Sequence, residues 1–137
     1  MATYRSMSND HDVPFLADED LTAKQYTLLR PASTVGYAAC ANSACSYGIL
    51  GVLQNSPSAG QEATVRLMGT TKVYGEANGT CGLAYGGFVF AASTGRVEGY
   101  ASGCPVIGRW LSAAVTSGDV VGEMFLFPFS ACTVAAC

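Results

Sequence analysis

Residues 64–73, TVRLMGTTKV, alternate between two sets of side chains. One set is Val65, Leu67, Gly69, Thr71 and Val73, and the other is Thr64, Arg66, Met68, Thr70 and Lys72. Period-two alternation is typical of a β-strand with one face on a core and the other in solvent or at a polar contact. The segment therefore predicts a strand, which we place at residues 63–73.

Short apolar runs, broken about every 8 to 12 residues by Gly, Pro, Asn and Ser, extend this pattern over the chain after residue 20. The 16 glycines are spread through this region, and no segment shows ten residues of clean helical period. These features predict an all-β fold. The other predicted strands are residues 26–29, 35–39, 48–54, 83–91, 96–101, 106–111 and 120–127.

The first twenty residues differ from the rest in charge and in pattern. They hold one basic and five acidic side chains and one apolar cluster at residues 13–16. We predict an extended N-terminal arm over residues 1–20 and a single β domain over residues 21–137, with a disordered tail as the alternative for the arm. No apolar core of a secretory signal is present, so we expect the protein to be made in the cytoplasm.

Charge is scarce outside the arm. Only 12% of the chain is charged, against about 25% in typical soluble domains. Such a surface favours self-association, although a monomer with a Ser-, Thr- and Gly-rich surface is the alternative. No run of Lys and Arg is present, and Glu123 and Pro128 interrupt the most apolar stretch. We therefore expect neither nucleic acid nor a membrane as a partner.

Catalytic machinery is not evident in the sequence. His11 is the only histidine, and three of the five acids after residue 20, Glu62, Glu76 and Asp119, fall near predicted turns or strand ends. There is no phosphate-binding loop and no pairing of a nucleophile with a base. We predict that the protein is not an enzyme and has no catalytic residue, cofactor or metal site, with a small cysteine enzyme as a rival.

The cysteines allow two interpretations. Their spacing has no C-x-x-C pair and no histidine partner, so a zinc site is not expected. All six are buried thiols in one interpretation. In the other, the close pairs Cys40 with Cys45 and Cys132 with Cys137 form disulfides once the protein meets an oxidising medium.

Two further patterns concern strands. Residues 120–127 are apolar on both faces except at Glu123, which suggests that one face meets another subunit. Residues 48–65 also resemble residues 106–121, since both read as a strand, a small loop and a Gly that opens the next strand. Either the hairpin is duplicated, or two unrelated hairpins use a similar turn.

Three segments resemble a known family in their order along the chain. They are DLTAKQY at 20–26, GILGVLQNSPSAGQEATVRLMGTTKV at 48–73 and VIGRWLSAAVTSGDVVGEMFL at 106–126. Together they resemble the capsid cement, or head decoration, proteins of tailed bacteriophages. The middle segment is the most specific. The six cysteines, the segment 81–88 and the tail 129–137 depart from the family's pattern.

The resemblance implies a small β-barrel-like or β-tulip domain that forms a homotrimer. Such a structural protein sits on the exterior of the virion's head at three-fold and pseudo-three-fold positions, binds the major capsid protein and stabilises the shell. The family has no catalytic residue or cofactor. The residues that match its turn positions are Gly51, Pro57, Gly60, Gly108 and Gly118.

Two sets of contact residues follow as expectations. The candidate capsid contacts in the arm are Val13, Pro14, Phe15, Leu16, Asp18 and Asp20. The candidates for the subunit interface and core are Trp110, Val121, Phe125 and Phe127. The alternative function is a host- or glycan-binding module of a capsid fibre, with Tyr37, Tyr47, Tyr85, Tyr100 and Trp110 as stacking platforms; ordinary packing of these rings is the simpler account.

Overall fold

The structure, a computed structural model, describes residues 11–42, 48–77, 82–99 and 104–131. These residues form ten β-strands, and they contain no helix that is long and apolar enough to cross a membrane. The all-β prediction is confirmed. The strands are β1 (Asp12–Ala17), β2 (Leu28–Pro31), β3 (Tyr37–Cys40), β4 (Gly51–Leu53), β5 (Glu62–Arg66), β6 (Gly69–Ala77), β7 (Phe88–Ala91), β8 (Val97–Glu98), β9 (Val106–Trp110) and β10 (Gly118–Ala131).

The strands form two closed five-stranded barrels that follow one another along the chain. The order around the first barrel is β1-β3-β2-β4-β5, and around the second it is β6-β8-β7-β9-β10. In each barrel the first strand runs parallel to the third, and the other neighbours are antiparallel. The two barrels therefore share one topology, and β1 to β5 correspond in order to β6 to β10.

The two similar sequence segments occupy corresponding hairpins, β4–β5 and β9–β10. Gly51 and Gly108 lie within strands there and not in turns. Glycine is needed at both positions because a Cβ on either would lie 2.2 Å from a carbonyl oxygen of the neighbouring strand. Gly60 and Gly118, which precede or open the second strand of each hairpin, both have φ of 83°. Glycine tolerates this left-handed conformation without steric cost. These matched positions favour a duplicated barrel over two unrelated turns.

The predicted strand at residues 63–73 is two strands in the structure. β5 ends at Arg66 and β6 begins at Gly69, whose φ of 94° turns the chain from one barrel into the next. The alternation continues across the break because Val65 points into the first barrel and Val73 into the second, and both are fully buried. Periodicity alone therefore could not reveal the junction.

The segment predicted to be an extended arm is a barrel strand from residue 12 to residue 17. β1 pairs with β3 and with β5, and the guanidinium of Arg66 donates to both carboxylate oxygens of Asp12 at 2.7 and 3.1 Å. The prediction of an arm is wrong for residues 11–20, and residues 1–10 lie outside the described chain. The sequence concealed this strand because Asp12 and Pro14 are unfavourable in strands and its antiparallel partner lies about fifty residues away.

The barrels pack together through the first two residues of β2 and through β4, where both faces are buried. Leu29 and Leu53 point into the first core, whereas Leu28 and Val52 belong to the apolar cluster that fills the second barrel. All four side chains are fully buried. The N–H of Leu28 also donates to the carbonyl of Gly95 in the second barrel at 2.7 Å. The two barrels thus have separate cores on either side of β2 and β4, and the first barrel includes β1, which precedes the β domain predicted to begin at residue 21.

Candidate functional site

The outward face of β7, β9 and β10 gathers exposed apolar side chains around one arginine. Strand pairing places Phe88 beside Arg109, and Arg109 beside Phe125. Phe88 is 44% exposed and Phe125 is 41% exposed, whereas the residues that alternate with them on β10, such as Met124, are buried. We call this surface, with its flanking residues Leu111 and Val121, the outer face of the second barrel.

Side-chain contacts hold this surface in a fixed arrangement. The guanidinium carbon of Arg109 lies 4.8 Å from the centre of the Phe88 ring, and one of its nitrogens donates to the carbonyl of Gly86 at 3.2 Å. The rings of Phe125 and Phe127 lie 6.2 Å apart and are tilted by 60°. Cation–π and tilted aromatic contacts of this kind are attractive. These contacts favour one arrangement of the rings in the absence of a partner.

The chemistry of the outer face suits contact with another protein. Leu111 and Val121 extend its apolar area, and they are 37% and 42% exposed. On the same face Glu123 pairs across the sheet with Lys72, so opposite charges are adjacent. Exposed apolar patches with polar surroundings mark sites of protein association. No catalytic arrangement is needed for such a role.

The predicted interface residues divide between this surface and the core. Val121 and Phe125 lie on the outer face, and Phe127 is half-buried against the small cluster around Phe90. Trp110 is fully buried, and its indole N–H donates to the carbonyl of Ala113 at 3.0 Å. Trp110 is thus a core residue, and its assignment as a stacking platform is wrong. A subunit contact through the other three stays a prediction.

Sequence reasoning missed Phe88 and Arg109. Phe88 stands at the end of a Gly- and Tyr-rich segment whose local pattern does not reveal a strand face, and Arg109 precedes a tryptophan within an apolar run. A signal was available in the residue type, because Arg109 is the one charged residue of the predicted strand 106–111 and charged side chains are rarely buried.

The predicted capsid contacts on β1 face in two directions. Pro14 and Leu16 point outward and are exposed, with Leu16 39% exposed. Val13 and Phe15 are half-buried on the opposite side, and Phe15 packs against the first core. An apolar anchor formed by all four residues is therefore wrong, because alternate side chains of a strand point to opposite faces.

The acidic residues after β1 remain accessible. Asp18, Glu19 and Asp20 are all exposed. A carboxylate oxygen of Asp20 accepts the backbone N–H of Thr22 at 3.1 Å, and this hydrogen bond lowers the pKa of Asp20. This end of the first barrel consequently presents negative charge to its surroundings.

The cysteines do not follow the predicted pairing where they are described. Cys40 is a free, buried thiol, so its predicted disulfide with Cys45 is wrong. Its sulfur lies near the Thr27 hydroxyl at 3.9 Å, where the barrels meet. Cys104 is disulfide-bonded, and its partner is not Cys40. Cys45, Cys132 and Cys137 lie outside the described residues.

A groove of about 330 Å³ lies where the two barrels meet. Its lining includes Tyr26, Lys72 and Tyr74, and the ammonium of Lys72 lies 5.9 Å from the centre of the Tyr26 ring. Tyr26 has φ of 68°, which is strained for a residue with a side chain, and its carbonyl accepts the N–H of Tyr74 at 2.8 Å. The sequence did not single out Tyr26.

The tyrosines proposed as stacking platforms have different environments. Tyr85 is 75% exposed, and Tyr37 is half-buried on β3. Tyr47 and Tyr100 lie outside the described residues. Of the described members of this set, Tyr85 presents most of its ring to solvent.

Comparison with known proteins finds a likeness of fold to a phage protein. No protein-family profile and no curated protein sequence matches the chain. A solved structure does match: the N base of head fiber gp8.5 of bacteriophage phi29, with a TM-score of 0.62 and 11% sequence identity. The fold resembles that of a phage head-fibre base. The match covers 87% of this chain and 95% of that chain.

The likeness to the head-fibre base concerns the fold, and it extends over both barrels. The similar structure is a head-fibre protein and is not described as a member of the cement family that the sequence resembles. Among the described residues, no group of three or more His, Cys, Asp and Glu side chains could hold a metal ion. Partial burial, and then the charge of Glu76, raise the pKa of Glu98, but neither carboxyl lines the groove at Tyr26.

Proposed function

We propose that this protein is a structural component of a phage virion and decorates the exterior of the head. It binds the major capsid protein at three-fold and pseudo-three-fold positions as a homotrimer and stabilises the shell, after assembly in the host cytoplasm. The observation that carries the proposal is the overlap of the fold, over 87% of the chain, with the base of a head fibre. The order of the cement-like segments along the sequence supports the same role.

Two separate surfaces suit the two kinds of proposed contact, one with other subunits and one with the capsid. The outer face of the second barrel is apolar and suits contact between subunits. The outward side of β1, with Pro14 and Leu16, lies next to the exposed acids at residues 18–20 and suits a basic patch on the capsid. Weak contacts repeated over three linked subunits give strong binding through avidity.

A second candidate function is binding of a host surface glycan by a capsid fibre module. The groove at Tyr26 favours it, because aromatic rings and a lysine line a concave surface between the barrels. The exposed ring of Tyr85 offers another stacking surface. Both functions are compatible with the likeness to a head-fibre base, so they need a direct test.

Binding to heads that lack the protein decides between the two functions. The purified protein is mixed with undecorated heads, and cosedimentation is measured at increasing concentration. We expect saturable binding and greater resistance of the heads to heating. Absence of binding to heads, together with binding to host cells or to a glycan array, would overturn the decoration role in favour of the second candidate.

The outward side of β1 is tested with Pro14→Lys, which adds a positive charge at an exposed position. We expect weaker cosedimentation with heads while the far-UV circular dichroism and the oligomeric state stay unchanged. Ala114→Lys places the same charge on an exposed loop of the second barrel and is the matched control. Equal binding by both variants would show that β1 does not contact the capsid.

A further inference from the structure

The two barrels carry corresponding rows of outward side chains. In the first barrel, strand pairing aligns four residues across β2, β4, β5 and β1: Leu28, Val52, Arg66 and Asp12. In the second barrel, the same pairings align four residues across β7, β9, β10 and β6: Phe88, Arg109, Phe125 and Thr70. The registers match, since Leu29 pairs with Gly51 as Val89 pairs with Gly108. We call these the first row and the second row.

The rows have the same place in the same topology but opposite exposure. Leu28 and Val52 of the first row are fully buried, because the second barrel packs on them. Phe88 and Phe125 of the second row are 44% and 41% exposed, and Arg109 between them is also exposed. One copy of this surface is therefore used within the molecule, and the other is free.

The first row docks on one end of the second barrel, at Gly95. The carbonyl of Gly95 accepts the N–H of Leu28 at 2.7 Å. A Cβ added to Gly95 would lie 2.7 Å from the sulfur of Cys40 and 3.2 Å from the Cβ of Thr27, so the first barrel fills the space beside this glycine. The surface around Gly95 is therefore the part of the second barrel on which the first row packs.

The corresponding glycine of the first barrel is Gly36. It stands two residues before Ala38, which pairs in parallel with Ala17, as Gly95 stands two residues before Val97. Both glycines have positive φ, 87° and 80°. Apart from its chain neighbours, no atom of the described residues lies within 4 Å of a Cβ built on Gly36, and the adjacent Val35 is 97% exposed. The end that receives a row is covered in the second barrel and open in the first.

We propose that the second row of one copy docks on the Gly36 end of the first barrel of another copy. The contact repeats between molecules the packing that joins the two barrels within one molecule. Such a head-to-tail contact uses two different surfaces, so it generates a closed ring when the rotation between copies allows it and an open chain when it does not. The proposal specifies the subunit contact of the proposed homotrimer and needs no binding to the capsid.

One difference separates the contact between molecules from the contact within one. The carbonyl of Gly36 already accepts the N–H of Leu16 at 2.9 Å in its own barrel, whereas the carbonyl of Gly95 accepts from the other barrel. The contact between copies therefore relies on side chains, with the Phe88 and Phe125 rings against Val35. Phe88 is longer than Leu28, the corresponding residue of the first row, and so extends further from the sheet. This length suits a contact made by side chains without a backbone hydrogen bond between the copies.

Engineered disulfide cross-linking tests the pairing of the two surfaces. The double variant Val35→Cys/Phe88→Cys is oxidised and run on a non-reducing gel, with each single variant and the unmodified chain as matched controls. We expect covalent multimers in the double variant alone. Cross-linked dimers from Phe88→Cys alone would show that the second row packs on itself, and no cross-linking in the double variant would equally overturn the proposal.

Light scattering tests the same surface without new cysteines. Phe125→Asp is expected to convert the oligomer to a monomer while the far-UV circular dichroism is unchanged, and Ala114→Asp is expected to leave the oligomer intact. A chain that is monomeric without any substitution overturns the proposal. Cosedimentation with heads is a separate readout: an oligomer that does not bind heads refutes the decoration role and leaves this contact standing.

Discussion

Trp110 shows how single residues set the packing of the second barrel. Its indole is fully buried, and it lies against two strand positions that have no side chain. A Cβ at Gly122 would lie 2.4 Å from the ring, and one at Gly75 would lie 3.0 Å from it. The two glycines lie on neighbouring strands β10 and β6. Gly75 and Gly122 therefore leave the space that the Trp110 ring occupies, because neither has a side chain.

Gly122→Ala is expected to destabilise the protein by about 1 to 3 kcal/mol, because an inserted methyl group in a filled core forces its neighbours from their preferred positions. Chemical denaturation followed by circular dichroism measures the change. Gly48→Ala is the matched control, since nothing lies within 4 Å of its Cβ and its φ is not positive. We expect the control to change stability by less than about 0.5 kcal/mol. Equal midpoints for the two variants would refute this account of Trp110.

β1 is the element that closes the first barrel. It lies between β3 and β5, and without it both of these strands would have a free edge. The ion pair of Asp12 and Arg66 fixes its start, and the buried Ala17 fixes its end. The same strand presents Pro14 and Leu16 outward. Its structural role and its proposed contact with the capsid thus belong to opposite faces.

Deleting residues 2–17 is expected to abolish cooperative unfolding and to cause aggregation, because unpaired strand edges associate with one another. Thermal melts followed by circular dichroism, together with size-exclusion chromatography, measure both effects. A chain that lacks only residues 2–9 retains the whole of β1 and serves as the control. If the longer deletion unfolded as sharply as the control and stayed soluble, β1 would not be part of the barrel.

At the scale of the whole molecule, side chains and backbone hydrogen bonds join the two barrels. Leu28 and Val52 come from strands of the first barrel and belong to the core of the second. Backbone hydrogen bonds from Leu28 to Gly95 and from Tyr74 to Tyr26 cross the same boundary. Loss of the first barrel would therefore expose part of the second core.

Leu53→Ala tests whether destabilising the first barrel also destabilises the second. Leu53 points into the first core, and its truncation is expected to cost about 2 to 5 kcal/mol. The only tryptophan, Trp110, lies in the second barrel, so its fluorescence reports unfolding there. We expect the fluorescence and circular dichroism transitions to shift together to lower denaturant concentration. A fluorescence midpoint unchanged from that of the parent protein would mean that the barrels unfold independently.

The residue pattern alone predicted the fold class and the positions of most strands. Each predicted strand overlaps an observed one, because alternation and turn residues are local signals that the chain expresses within a few residues. Residues 120–127 are apolar on both faces, so the sequence did not show that Val121 and Phe125 point outward. Trp110 was assigned to the interface or core, and the structure places it in the core.

Which strands pair with one another became evident from the three-dimensional structure and not from the sequence. It assigned β1 to the first barrel, divided residues 63–73 between two barrels, and buried Leu28 and Val52 while leaving Phe88 and Arg109 exposed. Two rows with the same local pattern differ in exposure because one has a neighbouring barrel and the other does not. Burial depends on partners that are distant in sequence, and a local pattern does not contain that information.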